Sequence, residues 1–410
     1  MTPGRSEPAG THKYVLMLGA MSALGAMATD MYLPNLPNVV TDLNTTATMA
    51  QFTMTAMMLG SAVGQLVVGP LSDRFGRRRP AMIGTALHIM TCVLCVFVPA
   101  IWPLIGYRLA MGFFNAAAGV TATAIIRDRF VGRDAARMMS RLMLVIGVAP
   151  LFAPTLGSFI GRYVGWRGVF AALGIYGLAL LITMWAKLPE TLPPTRRTKH
   201  AKATFAGFRD LLGDRLFMAL AVIPALMSAT FMSYIVSSSF VLQGQYGLSS
   251  LQFALVFGCN GLALVGGAQV NAALVSRYAP SRILRVSVPA SLILCLVLLT
   301  LGFTGWTGLF GVLVVLFFIM AWQNMSPSNA SALALTRHGE KAGTAAAFIG
   351  FLQSVIPAVV APIVGLLGNQ AWAMGLVMSA GSLAALIVLA VGTPIYRPGG
   401  ADLLDRLPHH

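Results

Sequence analysis

Runs of predominantly apolar residues, each closed by a short polar and often basic segment, recur along this chain of 410 residues. A helix crossing a hydrocarbon core of about 30 Å needs about 20 such residues. The runs that meet this test predict membrane-spanning helices at Tyr14–Leu33, Thr53–Leu71, Pro80–Val98, Pro103–Ile125, Leu142–Ile160 and Val169–Leu188. A second set follows at Phe217–Phe240, Phe253–Val275, Leu284–Phe303, Leu309–Ser328, Ala345–Leu367 and Ala373–Val391. Between the sets, Pro189–Arg215 carries Pro193, Pro194, Arg196, Arg197, Lys199 and Lys202 without a sustained apolar run and reads as a polar linker. The predicted layout is therefore a tail over 1–13, a six-helix unit over 14–188, a linker over 189–215, a second six-helix unit over 216–393 and a tail over 394–410.

Composition agrees with that pattern. Hydrophobic residues make up 57% of the chain and charged residues 10%, against about 25% charged in an ordinary soluble domain. Tyr14–Ala28 could pass for a secretory signal, but apolar density continues through the chain, so a first span is expected. Cys92, Cys95, Cys259 and Cys295 all fall in apolar runs and read as packing residues; no second pair or histidine cluster completes a metal site, and no cofactor is expected.

The net charge of +16 would point to nucleic acid in a soluble protein, and its distribution removes that reading. Of the 28 Lys and Arg residues, all but Arg108, Arg162 and Arg167 fall on one side if the first tail is cytoplasmic. Such asymmetry is the positive-inside rule and predicts a multi-pass protein of the cell (plasma or inner) membrane with both termini cytoplasmic. A weak internal repeat supports two halves: Leu71, Arg74, Phe75 and Arg79 recur as Leu274, Arg277, Tyr278 and Arg282, a constant offset of 203 residues (274 less 71).

Subtracting the loops leaves one acidic residue within a span, Asp30, and one basic residue, Arg108. An ionisable group at depth costs about 2.5 to 3.5 kcal/mol to insert and usually faces a cavity or a partner. A carboxyl group held away from water resists ionisation, which is how it can exchange a proton near neutral pH. The competing reading puts Asp30 at the outer interface, since it lies about 24 Å along the helix from Tyr14. Arg108 opens a face continued by Gly112, Asn115 and Gly119, where small residues admit a neighbouring helix while Arg108 and Asn115 offer donors to a cavity; snorkelling from the helix end is the plain alternative.

Two further segments carry a pattern. Gly69–Pro80 (GPLSDRFGRRRP) joins spans two and three by a tight turn in which Gly76 permits a positive φ, and Asp73 and the arginines can pair with each other, with helix ends or with the other half. Span five has Pro150 and Pro154 four apart and glycines at 147, 157 and 161, which makes a kinked helix, thin on one side, able to seal against another helix and part from it.

Together these residues resemble the major facilitator superfamily, and within it the twelve-span drug:proton antiporters of the bicyclomycin and chloramphenicol resistance type. The pattern G-x-x-x-D-R-x-G-R-R is met without a gap at Gly69, Asp73, Arg74, Gly76, Arg77 and Arg78. Arg108 and Gly112 match the family's fourth-span motif, whose arginine is implicated in proton coupling; Pro150–Gly157 is similar to its fifth-span antiporter motif, and Asp30–Pro34 to the first-span signature of drug exporters. The resemblance implies a fold of twelve transmembrane helices in two six-helix bundles around a central cavity, with the loop motif, Gly112, Pro150, Pro154 and Gly157 in conformational gating. Departures are Ala153 and Ser158, where glycine is usual, Ser276 in place of the second loop's aspartate, and Ser22 where relatives with two first-span carboxylates have another acid.

No lysine follows a glycine, so the phosphate-binding G-K-[ST] step is absent and an ion gradient is the expected energy source. The leading expectation is a monomeric efflux antiporter that exchanges protons for amphipathic antibiotics. Asp30 and Arg108 couple protons, and Asp30, Met54, Met58, Asn115 and Tyr234 line the substrate site; by resemblance the cargo is chloramphenicol or a similar drug. A proton-coupled metabolite transporter would call for a more polar lining. A membrane enzyme would need clustered His, Asp or Glu, whereas His88 stands alone among the spans, and no enzymatic activity is expected.

Overall fold

The computed structural model describes residues 11–129, 138, 142, 152–193, 211–337, 342–360, 362–398, 400, 401 and 404. Regular structure among them is entirely helical. The long helices are α1 (Thr11–Asp30), α2 (Ala47–Phe75), α3 (Arg78–Val96), α4 (Ile101–Arg129), α5 (described over 152–164) and α6 (Trp166–Lys187). The second half has α7 (Arg215–Ser239), α8 (Ser250–Val275), α9 (Pro280–Thr304), α10 (Gly308–Trp322 and Met325–Arg337), α11 (Ala342–Val360) and α12 (Ala371–Gly392). Among the described residues, eleven helices are long and apolar enough to cross a membrane, and α5 is the described part of the remaining expected span.

Side-chain caps start several of these helices. The Thr46 hydroxyl accepts from Met49 N at 3.2 Å, Asp214 accepts from the amides of Leu216 and Phe217, and Ser249 with Gln252 forms a reciprocal capping box. Gly305, at φ +63, ends α9.

Two of the spanning segments are interrupted. Helix α1 stops at Asp30, because Pro34 has no N–H to return to the Asp30 carbonyl and disfavours helical geometry at Leu33; a 3₁₀ turn over Leu33–Asn35 and a short helix over Leu36–Asp42 complete the crossing. The expected continuous run to Leu33 is therefore corrected, and Asp30 sits at an internal break with chain on both sides. Helix α10 breaks at Gln323 and Asn324, whose side-chain amides donate to the carbonyls of Met227 (2.8 Å) and Leu264 (3.4 Å).

The halves are built alike. Helix α2 lies on α4, α3 on α6 and α1 on α4; correspondingly α8 lies on α10, α9 on α12 and α7 on α10. Close approach is bought by glycine: a Cβ on Gly60, Gly64 or Gly112 would collide with the backbone of the facing helix in the α2–α4 pair, and one on Gly267, at the repeat offset from Gly64, would collide with the Ala321 carbonyl of α10. Across the halves, Gln243 Nε2 donates to the Pro34 carbonyl at 3.1 Å, Thr48 Oγ1 to the Gly365 carbonyl at 2.9 Å, and the Gln51 amide to Asn369. All three bonds lie at the end of the molecule opposite the 69–80 turn.

Candidate functional site

A cavity of about 360 Å³ lies between the halves. Asp30 reaches it from the break in α1, facing Met57 and Met58 of α2, Tyr234 of α7 and Phe257 and Asn260 of α8. Asp30 is 7% exposed, and among the described residues no hydrogen bond or ion pair engages its carboxylate. Tyr234 is buried, stacks on Phe257 with ring centroids 5.8 Å apart, and its hydroxyl accepts from Asn260 Nδ2 at 2.8 Å. The wall is thus apolar and rich in thioethers and aromatic rings, with one carboxyl group and a small polar corner. Such a surface adapts to varied lipophilic shapes more readily than it replaces the hydration of a sugar.

A second cavity of about 310 Å³ shares Gly25 and Ser61 with the first and runs toward the 69–80 end, past Ser22, Gln65, Asn115 and Thr123. Asn115 therefore belongs to this extension and not to the central chamber. The Ser22 hydroxyl lies buried there with no hydrogen-bond partner among the described residues. The cavity system leads away from the end that the cross-half hydrogen bonds close.

Two of the predicted lining residues stand elsewhere. Met54 is buried behind α1, and Met57, one turn further on, takes the cavity position; the four-residue step from Met54 to Met58 overlooked the methionine between them. Arg108, expected to offer donors to a cavity, lines neither chamber and does not snorkel. It is fully buried, donating to the Ala28 carbonyl at 3.0 Å and lying over the Tyr32 ring (4.6 Å) and the Phe170 ring (5.7 Å), with the sulfurs of Met54 and Met111 at 3.3 and 3.5 Å. The break in α1 leaves the Ala28 carbonyl without its helical donor, and the guanidinium supplies one. Asp30 and Arg108 thus stand on the same break without pairing: one faces the cavity, the other braces the helix end from behind.

Gly157 bears on the same place, with Pro154 one turn before it. Both are buried on α5, and a Cβ on Gly157 would collide with the Met31 carbonyl, just beyond Asp30. Asn35 Nδ2 spans this contact, donating to the carbonyls of Gly157 (2.9 Å) and Met31 (3.3 Å). Pro150 lies outside the described residues. Gly112 has the packing role already given.

The 69–80 turn forms a charged knot. Gly76 takes φ +90, a conformation that strains residues bearing a Cβ, and the Glu190 carboxylate occupies the space a side chain there would need. Glu190 accepts from the amides of Arg77 (2.8 Å) and Arg78 (3.3 Å), which open α3. Arg77 bridges Asp73 (2.5 Å) and Asp128 of α4 (2.8 Å). Burial works against the charge on Arg77, and its hydrogen bonds to Asp128 and Asp73 outweigh that, holding the guanidinium above its usual range. Arg78 donates to the Trp185 carbonyl of α6, Arg74 lies over Phe75, and Gly69 faces open space. Sequence reasoning missed Asp128 and Glu190, placing the latter in the linker. Their rarity was the available signal, since the chain has only 12 acidic residues.

An uncharacterized transporter of Bacillus subtilis (strain 168), YdgK, is 34% identical over 378 residues, covering 91% of this chain and 94% of its own. A bicyclomycin resistance protein homolog of Haemophilus influenzae is 28% identical, covering 88% and 90%. A chloramphenicol resistance protein of Pseudomonas aeruginosa is 27% identical over 67% of this chain and 65% of its own. Among solved structures, a D-xylose-proton symporter superposes with a TM-score of 0.73 at 18% identity, covering 92% of this chain and 98% of its own; at that identity the likeness speaks for the fold. The sequence model of the Major Facilitator Superfamily matches residues 18–362, and this chain, a multi-pass membrane transporter, belongs to that superfamily.

Proposed function

We propose that the chain is a proton-coupled efflux antiporter that exports amphipathic antibiotics, chloramphenicol or drugs like it, by alternating access. The observation that carries this reading is the Asp30 carboxylate, which faces an apolar cavity between the two halves with no ion-pair or hydrogen-bond partner among the described residues. A carboxyl group so placed takes up a proton when the cavity opens outward and yields it inward, and cargo and proton compete for one chamber. A proton moving down 100 mV releases about 2.3 kcal/mol, which sustains about a fortyfold gradient of a neutral solute. Relatives named for bicyclomycin and chloramphenicol resistance support export of drugs.

Arg108 serves coupling indirectly in this scheme, by bracing the break that aims Asp30. Met58 and Tyr234 contact cargo in the chamber, and Asn115 does so on the path leading to it. The knot at Gly69–Arg78 with Gly112, and the contact of Gly157 with α1 one turn after Pro154, are the places where helices seal and part. The basic loops support placing both termini in the cytoplasm, with six-helix units over 14–188 and 216–393.

The test is growth of a drug-sensitised strain on a panel including chloramphenicol, with the wild-type chain and with Asp30→Asn. Raised tolerance lost in the variant at equal expression is the expected result. Unchanged tolerance to every compound would sink the reading and favour proton-coupled metabolite transport, for which the polar corner of Asn260, Gln353 and Ser354 is the supporting feature.

A further inference from the structure

The internal repeat brings the 69–80 turn into register with residues 272–283, and the two turns differ in charge balance. In the first, Asp73, Asp128 and Glu190 answer the arginines. At the constant offset of 203 their counterparts are Ser276, Ser331 and Thr393, so each carboxylate is replaced by a hydroxyl. From Arg215 to Ala401 the sequence has a single acidic residue, Glu340. Arg277, Arg282 and Arg285 are exposed, Arg285 lying over the Tyr396 ring, and with one acid in this stretch the edge keeps a net positive charge.

Beside that edge lies an apolar slot of about 280 Å³, walled by Leu274, Tyr278, Ile283, Val286, Trp322 and Met325, with Arg282 at its mouth. Trp322 and Met325, on either side of the break in α10, both line it, and Trp322 Nε1 donates to the Ser287 carbonyl at 3.0 Å. Val286 on α9 and Tyr278 in the turn before it are each more than half exposed. An apolar slot facing lipid, capped by cations at the membrane border, is complementary to one kind of molecule: an acyl chain ending in an anionic headgroup.

We propose that this slot is a binding site for an anionic phospholipid, with an acyl chain along Val286 and Trp322 and the headgroup phosphate against Arg277, Arg282 and Arg285. The site is separate from the transport cavity and does not depend on what is exported. In the orientation proposed above it faces the cytoplasmic leaflet, where anionic lipid attracts clustered arginines.

Native mass spectrometry of the full chain, delipidated in detergent and titrated with phosphatidylglycerol or phosphatidylcholine of the same acyl chains, tests it. Phosphatidylglycerol should bind more tightly by about fivefold for each arginine engaged, and millimolar inorganic phosphate should not displace it. The triple change of Arg277, Arg282 and Arg285 to Gln should remove that preference and Ser276→Asp, which restores one missing carboxylate, should lower it by about fivefold, while Val286→Trp, which fills the slot, should weaken both lipids. Arg74→Gln with Arg79→Gln in the first half should leave the preference in place. Equal binding of the two lipids, a preference that survives the triple change, displacement by phosphate alone, or an equal loss from the first-half pair would each overturn the proposal.

Discussion

The two halves of this transporter share a helix arrangement and divide its charge unequally. In the first half, α1 carries the cavity carboxylate, α4 carries the fully buried Arg108, and the 69–80 turn is tied by three carboxylates. In the second, the corresponding turn has hydroxyls where those acids stand, and its contribution to the central cavity is aromatic rings, thioethers and neutral amides. A duplicated scaffold can thus keep its packing register while one copy takes the ionisable chemistry. Packing depends on small residues at contact points, such as Gly64 and Gly267, and those persist. Charges are kept only where a partner or a task offsets the cost of desolvation.

The most severe challenge to this contrast is to move the carboxylate across the cavity. Asp30→Asn should abolish proton-driven drug efflux from proteoliposomes, and adding Asn260→Asp, on the facing wall, should restore no more than a small fraction. Full recovery would mean that the asymmetry is incidental. Gly112→Leu should come next. It forces a side chain into the Met57 carbonyl and should leave little folded protein by size-exclusion in detergent, whereas Gly266→Leu on α8, where a Cβ meets open space, should be tolerated.

Smaller differences sharpen the comparison at the turns. Arg77→Ala leaves Asp128 and Asp73 without their cation and should cost about 2 to 3 kcal/mol, read as a lower thermal midpoint in detergent. Arg277→Ala, on an exposed edge, should stay within about 0.5 kcal/mol. Glu190→Gln keeps the shape of the cap on α3 and loses its charge, so a loss of about 1 kcal/mol is expected. A cost for Arg277→Ala equal to that for Arg77→Ala would break the contrast.

Residue patterns made much of this legible in advance. The spans, the two sets of six and the recurring turn follow from runs of apolar residues and basic punctuation, because a bilayer imposes the same length and polarity on every crossing. The ends of the α3 and α12 runs fall within two residues of the observed helices, whereas α2 starts six residues before its run and ends four after it. Pro34 already announced the stop after Asp30, although its consequence for the helix end, and the need for a donor to the Ala28 carbonyl, went unread. Which methionine lines the chamber was beyond reach, since Met54, Met57 and Met58 differ only in the rotation of α2.

The sequence alone determined that the chain spans a membrane many times and that Asp30 and Arg108 are its two unusual charges, and a weak repeat pointed to two halves; solvation energy penalises each such residue without reference to its neighbours. Only the tertiary structure decided that these charges turn away from each other, that Glu190 returns from beyond α6 to seat itself under Gly76, and that the chamber joins a path toward the 69–80 end. Those facts depend on helix rotation and on contacts between residues far apart in the chain, which no local pattern encodes.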